Sequence, residues 1–168
     1  IASTSLEGKF LEINSRFCAI TGYSEEELLQ KNMMEITHPD DLPNNLLLLK
    51  QCIEDGRDFI VEKRYIRKDG TAVWVSNSVS LIESRSGEKF LAAISIDITE
   101  RRQVQQMLQE SEERYATTVN ASDLGLWDFD VLNQKIVAAG KMAEIYGLSS
   151  NKDYTLQTLF ESIHPQEA

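Results

Sequence analysis

Few groups in this 168-residue chain could do chemistry. Histidine occurs only at His38 and His164, each directly before a proline at an expected helix start, so shaping that turn is the favoured role over proton transfer. Cys18 and Cys52 lie in separate apolar segments without metal-ligand spacing, and a free cysteine mostly behaves as a small hydrophobe, so packing accounts for both. The run Glu25-Glu26-Glu27 follows Ser24 and is better explained by the positive end of a helix than by acid-base work. There is no glycine-rich phosphate loop, no paired metal ligands and no Ser-His-Asp order. The pattern predicts no catalytic residue and no metal site. One polar residue stands out. Asn77 interrupts the apolar alternation of Val73, Val75, Val79 and Leu81, and a buried amide needs a partner, which a backbone loop, a water or a ligand could supply.

Composition narrows the classes further. With 42% hydrophobic and 26% charged residues the chain is ordinary globular material, long enough for one good core and part of another. A formal charge of −10 leaves no basic face for a phosphate backbone or an anionic membrane surface, which argues against nucleic-acid and membrane contact by this segment. No apolar run nears the roughly 20 residues needed to cross a bilayer, and no secretory leader is read at the start. Two unpaired cysteines suit a reducing compartment, so the expected location is cytoplasmic.

The elements that position these residues follow from periodicity. Ile1 to Asn14 predicts two short strands around a turn at Glu7-Gly8, with Leu11 and Ile13 alternating against Glu12 and Asn14. Ser15 is the expected cap of a short helix that Gly22 ends, and Ser24 with Glu27 forms a capping box for the next. In His38-Pro39-Asp40-Asp41-Leu42-Pro43 an Asp caps a longer helix with proline in its first turn, and Leu42, Leu46, Leu49 and Ile53 fall on one face before Gly56. From Phe59 the period becomes two. A strand through Arg67 turns at Lys68-Asp69-Gly70-Thr71 into a second strand from Ala72 to about Glu83. Ser86-Gly87 marks the next turn, and Phe90 to Ile98 supplies a third antiparallel strand.

The fold class is therefore α+β, a five-stranded antiparallel sheet with short helices on one face. Val73, Val75, Val79 and Leu81, with Phe90, Ala92, Ile94 and Ile96 of the next strand, are assigned to the concave face. The other face carries Ala72, Trp74, Ser76, Ser78 and Ser80, small and polar around one large aromatic that suits an interface or packing role. Glu100 to about Val119 has helical composition. Arg101, Val104, Leu108, Ser111, Tyr115 and Thr118 follow heptad spacing, which fits either a weak parallel coiled coil joining two domains or a single solvated helix.

Four ordered blocks resemble the PAS family: Asn14 to Leu29, His38-Pro39-Asp40-Asp41, Glu62 to Val75, and Asp97 to Arg102. Together they span nearly all of residues 1 to 102. A partial second copy follows, in which Gly125 to Asp130 resembles an opening PAS strand. Ile145 to Ser149 and His164-Pro165-Gln166-Glu167 echo Thr21 to Ser24 and His38 to Asp41. The expected division is a nearly complete PAS domain at 1–99, a connecting signalling helix at 100–120, and the N-terminal half of a second PAS domain at 121–168.

The resemblance implies a non-catalytic sensory or relay module whose C-terminal helix carries a ligand- or partner-induced change to an output domain. The parent it implies is a two-component sensor histidine kinase, though a diguanylate cyclase or phosphodiesterase would carry the same module. It further implies a pocket between the concave face and the helices, with Asn77, Ile94, Ile96 and Leu46 as candidate lining. Haem-binding members place a histidine on the long helix, and Leu42 to Asp55 has none. Covalent-flavin members use a cysteine between the small helices and the long one, and Gln30 to Thr37 has none. Haem and a covalent flavin are therefore disfavoured, while a non-covalent flavin or a small metabolite stays open and the ligand itself is unknown. By the same resemblance Asp97, Ile98 and Thr99 end the last strand and launch the helix, held by hydrogen bonds and a salt link. A homodimer through the helix and the sheet surface is the expected assembly, with Trp74, Val104, Leu108 and Tyr115 at its interface.

Overall fold

The computed structural model describes residues 1–121, 125–133, 135–145 and 154–155. The first strand β1 (Ala2–Thr4) pairs antiparallel with β2 (Phe10–Ile13), and a register shift between Ser3 and Thr4 changes which residues face inward. Phe10 and Ile13 are buried as a result, whereas Leu11, expected inside, is exposed. Helix α1 (Ser15–Thr21) is capped by Asn14, one residue earlier than expected, because the Asn14 side chain accepts from the Phe17 amide at 3.0 Å. It stops at Gly22, whose left-handed φ of 75° a side chain would disfavour.

Helix α2 (Glu25–Leu29) opens on the expected Ser24–Glu27 capping box, and α3 (Met33–Ile36) on a second one formed by Asn32 and Glu35. Helix α4 (Leu42–Asp55) has Pro43 in its first turn, but Asp41 makes no side-chain cap bond. Its carboxylate is taken by Arg64 instead. The buried stripe of α4 is Asn45, Leu49 and Cys52, which shares Leu49 with the expected face and is rotated from it by about a sixth of a turn. Four consecutive leucines from Leu46 to Leu49 make several faces look equally apolar in sequence, and packing selects the one carrying an asparagine.

Strands β3 (Phe59–Ile66), β4 (Ala72–Glu83) and β5 (Lys89–Asp97) are consecutive and antiparallel, completing a sheet of order β2-β1-β5-β4-β3. The β3–β4 turn uses Gly70 at a φ of 83°. Val73, Val75, Asn77 and Val79 of β4 point inward as expected. On β5 the expectation is reversed. Asn77 pairs with Ser95, Val79 with Ala93 and Leu81 with Leu91, so those three partners face the helices while Ile94 and Ile96 face outward. The outward parity, Phe90, Ala92, Ile94 and Ile96, is the more apolar one, so alternation alone selects the wrong face of β5 and the pairing with β4 overrides it. Phe17 sits at the centre of the core, its ring centroid 5.6 Å from that of Phe10 and 5.7 Å edge-on from that of Tyr65.

Helix α5 (Thr99–Ala121) leaves the last strand directly. The chain divides into two units, Ile1–Val104 and Gln105–Ala168. In the second, β6 (Gly125–Asp130), β7 (Lys135–Gly140) and β8 (Tyr154–Thr155) form a small antiparallel sheet, with α6 (Met142–Ile145) between its last two strands. Ile136 and Met142 are buried there, whereas Trp127 and Val137 are exposed. The echo at His164 to Glu167, and most of that at Ile145 to Ser149, lies outside the described residues.

Candidate functional site

A cavity of about 30 Å³ lies between the inner face of the sheet and α4. Such a volume exceeds the roughly 10–15 Å³ that one water needs. Its walls are mostly apolar, from Phe17, Leu49, Val79 and Leu91, but polar residues line it from four elements: Thr4 on β1, Lys63 and Tyr65 on β3, Asn45 on α4, and Asn77 on β4.

Lys63 is the unexpected member. Val61, Lys63 and Tyr65 share the inward parity of β3, so the register that buries two hydrophobes drives the lysine in between them, where it is 1% exposed. Its Nζ donates to Asn45 Oδ1 at 2.9 Å and sits 4.8 Å from the centre of the Tyr65 ring. Asn45 is turned toward Met33, its Nδ2 3.6 Å from Sδ. None of the ion pairs among the described residues includes Lys63. Burial pushes its ammonium down to about 7, and the negative charge of Asp41 pulls weakly the other way.

Asn77 is buried and lines this cavity, and its partner is a side chain of the neighbouring strand: Ser95 Oγ donates to its Oδ1 at 2.7 Å. The Tyr65 phenol, fully enclosed, is raised to about 12 by burial, with Ser95 acting weakly against that rise. Of the other residues expected in the pocket, Ile94 and Ile96 are 52% and 60% exposed on the opposite sheet face. Leu46 lies in a surface groove with Leu6, Met34 and Ile53 rather than in the cavity. Lys63 and Asn45 escaped the sequence reading. The signal for Lys63 was a basic residue at the core parity of β3, legible once Val61 and Tyr65 are set inward.

A second constellation joins sheet and helix at the end of β5. Asp97 Oδ1 accepts from the Thr99 amide at 2.9 Å, and its Oδ2 pairs with Arg67 at 3.3 Å. Thr99 Oγ1 accepts from the Trp74 amide at 3.1 Å, while the Ile98 amide donates to the Trp74 carbonyl at 2.9 Å. Ile98 itself is buried. The Trp74 ring is flanked by Arg102 of α5 and Arg64 of β3, and Glu62 binds both Arg101 and Arg102. Arg64 in turn holds Asp41, whose carboxyl it keeps below the usual carboxylate range. Val104, Leu108 and Tyr115 are exposed along α5.

The family model described as the PAS fold matches residues 10–94, about half the chain, and the chain belongs to that family. It is 28% identical over 170 residues to the probable diguanylate cyclase DgcE of Escherichia coli, covering 99% of this chain and 15% of that protein. It is 31% identical over 127 residues to the sensor histidine kinase TmoS of Ectopseudomonas mendocina, covering 74% of this chain and 13% of that one. Among solved structures, the PAS domain of an HTR-like protein from Haloarcula marismortui superposes with a TM-score of 0.50 at 29% identity, covering 58% of this chain and 78% of that one. The chain thus spans only 15% and 13% of the length of the two signalling proteins DgcE and TmoS. It is a PAS-type sensing or relay module, resembling PAS regions of sensor histidine kinases and related signalling proteins, and its second unit resembles a further, partial PAS domain. Among the described residues no helix is long and apolar enough to cross a membrane.

Proposed function

We propose that this chain is a non-catalytic, cytoplasmic input module of a two-component sensor histidine kinase, relaying a change in its first domain through α5. The observation that carries the reading is the double attachment at the strand end. Asp97 and Thr99 tie the first turn of α5 to Arg67 and to the Trp74 backbone, so a shift between β4 and β5 has to move the helix. Such a relay works only through different affinities for two arrangements, typically about 1–3 kcal/mol of coupling. A histidine kinase parent is supported by the likeness to TmoS, and the likeness to DgcE supports a cyclase parent of the same design.

The experiment is to place Asp97→Ala and Thr99→Val in the full-length parent and compare output activity with and without stimulus, alongside melting of the isolated module. The expected result is output fixed at one level with folding retained; a stimulus response equal to wild type would refute the relay.

A dimeric role for α5 is the second reading, supported by the exposed Val104, Leu108 and Tyr115 and by Trp74 at the helix base. Light scattering on residues 1–168 and 1–99 tests it: a dimer lost only in the shorter chain supports the helix, and the same oligomeric state in both refutes it. A non-covalently held flavin is a poor match to 30 Å³, since drug-sized ligands occupy roughly 300–1,000 Å³, and the cavity better suits a small metabolite. An absorption spectrum of the purified module with a flavin band would overturn that preference.

A further inference from the structure

Burying an ammonium costs several kcal/mol unless an anion and hydrogen bonds replace the lost water. Lys63 is buried, and Asn45 accepts one of its hydrogen bonds while no carboxylate of the described residues pairs with it. The space beside it is a cavity rather than packed hydrocarbon. On the adjacent strand Asn77, which also lines this space, accepts at its Oδ1 from Ser95. Register puts Val61 opposite Asn77 and Lys63 opposite Val75, so lysine and asparagine are diagonal neighbours on one face of the sheet, roughly 7–8 Å apart at the backbone.

We infer that this cavity is a receptor site for a short-chain monocarboxylate, its carboxylate paired with Lys63 and bound by Asn77, its few carbons lying against Leu49, Val79 and Leu91. Charge selects the class. One cation faces the cavity, and none of the other lining residues carries a charge, so a monoanion leaves the buried site neutral. A dicarboxylate or a phosphate dianion would leave a negative charge unpaired in the core, which is heavily penalised. Size limits the length. A few non-hydrogen atoms fill the space, and Phe17, Leu49, Val79 and Leu91 offer apolar contact to an alkyl tail but no further cation to a second acidic group.

The protonation behaviour of the site supports the same ligand. With the cavity holding only water, burial lowers the Lys63 ammonium, and a carboxylate beside it would restore the charged form, so binding takes up a proton at slightly alkaline pH. The titratable groups around it are Tyr65 on its own strand and Asp41 at the start of α4, which is held by Arg64. The residues of β1, β2, α1, α3, β4 and β5 that line the cavity contain no titratable side chain.

The site deepens the sensory reading above by naming its ligand class, and whether occupancy reaches α5 rests on that reading. The test is titration calorimetry of the 168-residue chain with sodium propionate, with propionamide, sodium chloride and sodium phosphate as comparison probes. It is run at about pH 8 in two buffers of different ionisation enthalpy so that proton uptake is visible. We expect saturable propionate binding with proton uptake, comparison probes at least about tenfold weaker, and affinity falling with rising pH. Lys63→Met and Lys63→Gln should each lose propionate binding by at least about tenfold while melting no lower than wild type. No saturable binding of propionate, equal binding of propionamide or chloride, or undiminished binding by both variants would overturn the assignment. Hydrogen exchange of α5 with and without propionate separates the two readings: binding without any change in α5 refutes the relay and leaves the receptor site standing.

Discussion

The guanidinium of Arg102, in the first turns of α5, lies 3.9 Å from the centre of the Trp74 ring on β4. Arg64 approaches the same ring at 5.2 Å, and Glu62 holds Arg102 through its Nε at 3.5 Å. An aromatic on the outer face of the sheet is thus the anvil on which the departing helix rests, while its backbone receives Ile98 and Thr99. Side chain and main chain of one residue fasten the helix.

Trp74→Ala should therefore loosen the base of α5 more than it harms the core. Each cation–π contact is worth about 0.5–1 kcal/mol at such partly exposed sites, so a loss of about 1–2 kcal/mol is expected. Amides from Ile98 to Val104 should exchange faster, and Trp74→Phe should recover part of the protection. Hydrogen-exchange mass spectrometry with urea unfolding checks this, and unchanged exchange over that span would refute the clamp.

Lys63 gives the domain a distinctive dependence on pH. Its ammonium falls to about 7 in the folded chain against an ordinary value of 10.5, so between those limits the unfolded chain holds a proton that the native one lacks. In that window this group makes stability rise with pH, by about 1.4 kcal/mol per unit, and below about 7 its contribution is flat. Lys63→Met should abolish the slope and be the more stable form at neutral pH. Urea unfolding of both proteins from about pH 6.5 to 10 measures the difference, and parallel curves would refute it.

Asp41 works in the opposite direction. Arg64 holds its carboxyl below the usual range, so the pair stabilises the fold above that range and the benefit disappears as pH falls through the depressed value. Asp41→Asn should be less stable than wild type near neutrality, with the gap closing in acid. The variant leaves Arg64 on Trp74, so melting at several pH values isolates the ion pair.

The two thiols should react very differently. Cys52 is wholly buried, and burial raises its pKa, whereas Cys18 is partly accessible. A chromogenic disulfide reagent should modify one thiol rapidly and the other only as fast as the domain opens, and Cys18→Ser should remove the fast phase alone. Two fast phases would show that α4 is not packed as described.

Much of the first unit was legible in sequence, because its signals are local. The Ser24–Glu27 capping box, the Gly70 turn and the alternation of β4 each depend on residues a few positions apart, and all three form as expected. What escaped depended on neighbours distant in the chain. The facing of β5 is decided by which residue meets Asn77, and Ser95 takes the inner position although the opposite parity, with Ile94 and Ile96, is the more hydrophobic. The buried face of α4 is decided by Lys63 needing Asn45, and Asp41 abandons its capping role because Arg64 offers a charged partner. Polar pairings across 18 and 23 residues thus override the hydrophobic periodicity from which the candidate pocket was first drawn. The Asp97 to Thr99 junction is legible only through family resemblance, because its hydrogen bond between β4 and α5 joins residues that are 25 positions apart.

The 23 residues of α5 make it a rod about 35 Å long, whose first turn is fastened to β4. Leverage follows from that length: a swing of about 5° at its base carries the far tip through about 3 Å, close to the width of a hydrogen-bonded contact. On the proposed relay, a cavity large enough for only a handful of atoms has a far larger mechanical reach than its own dimensions suggest.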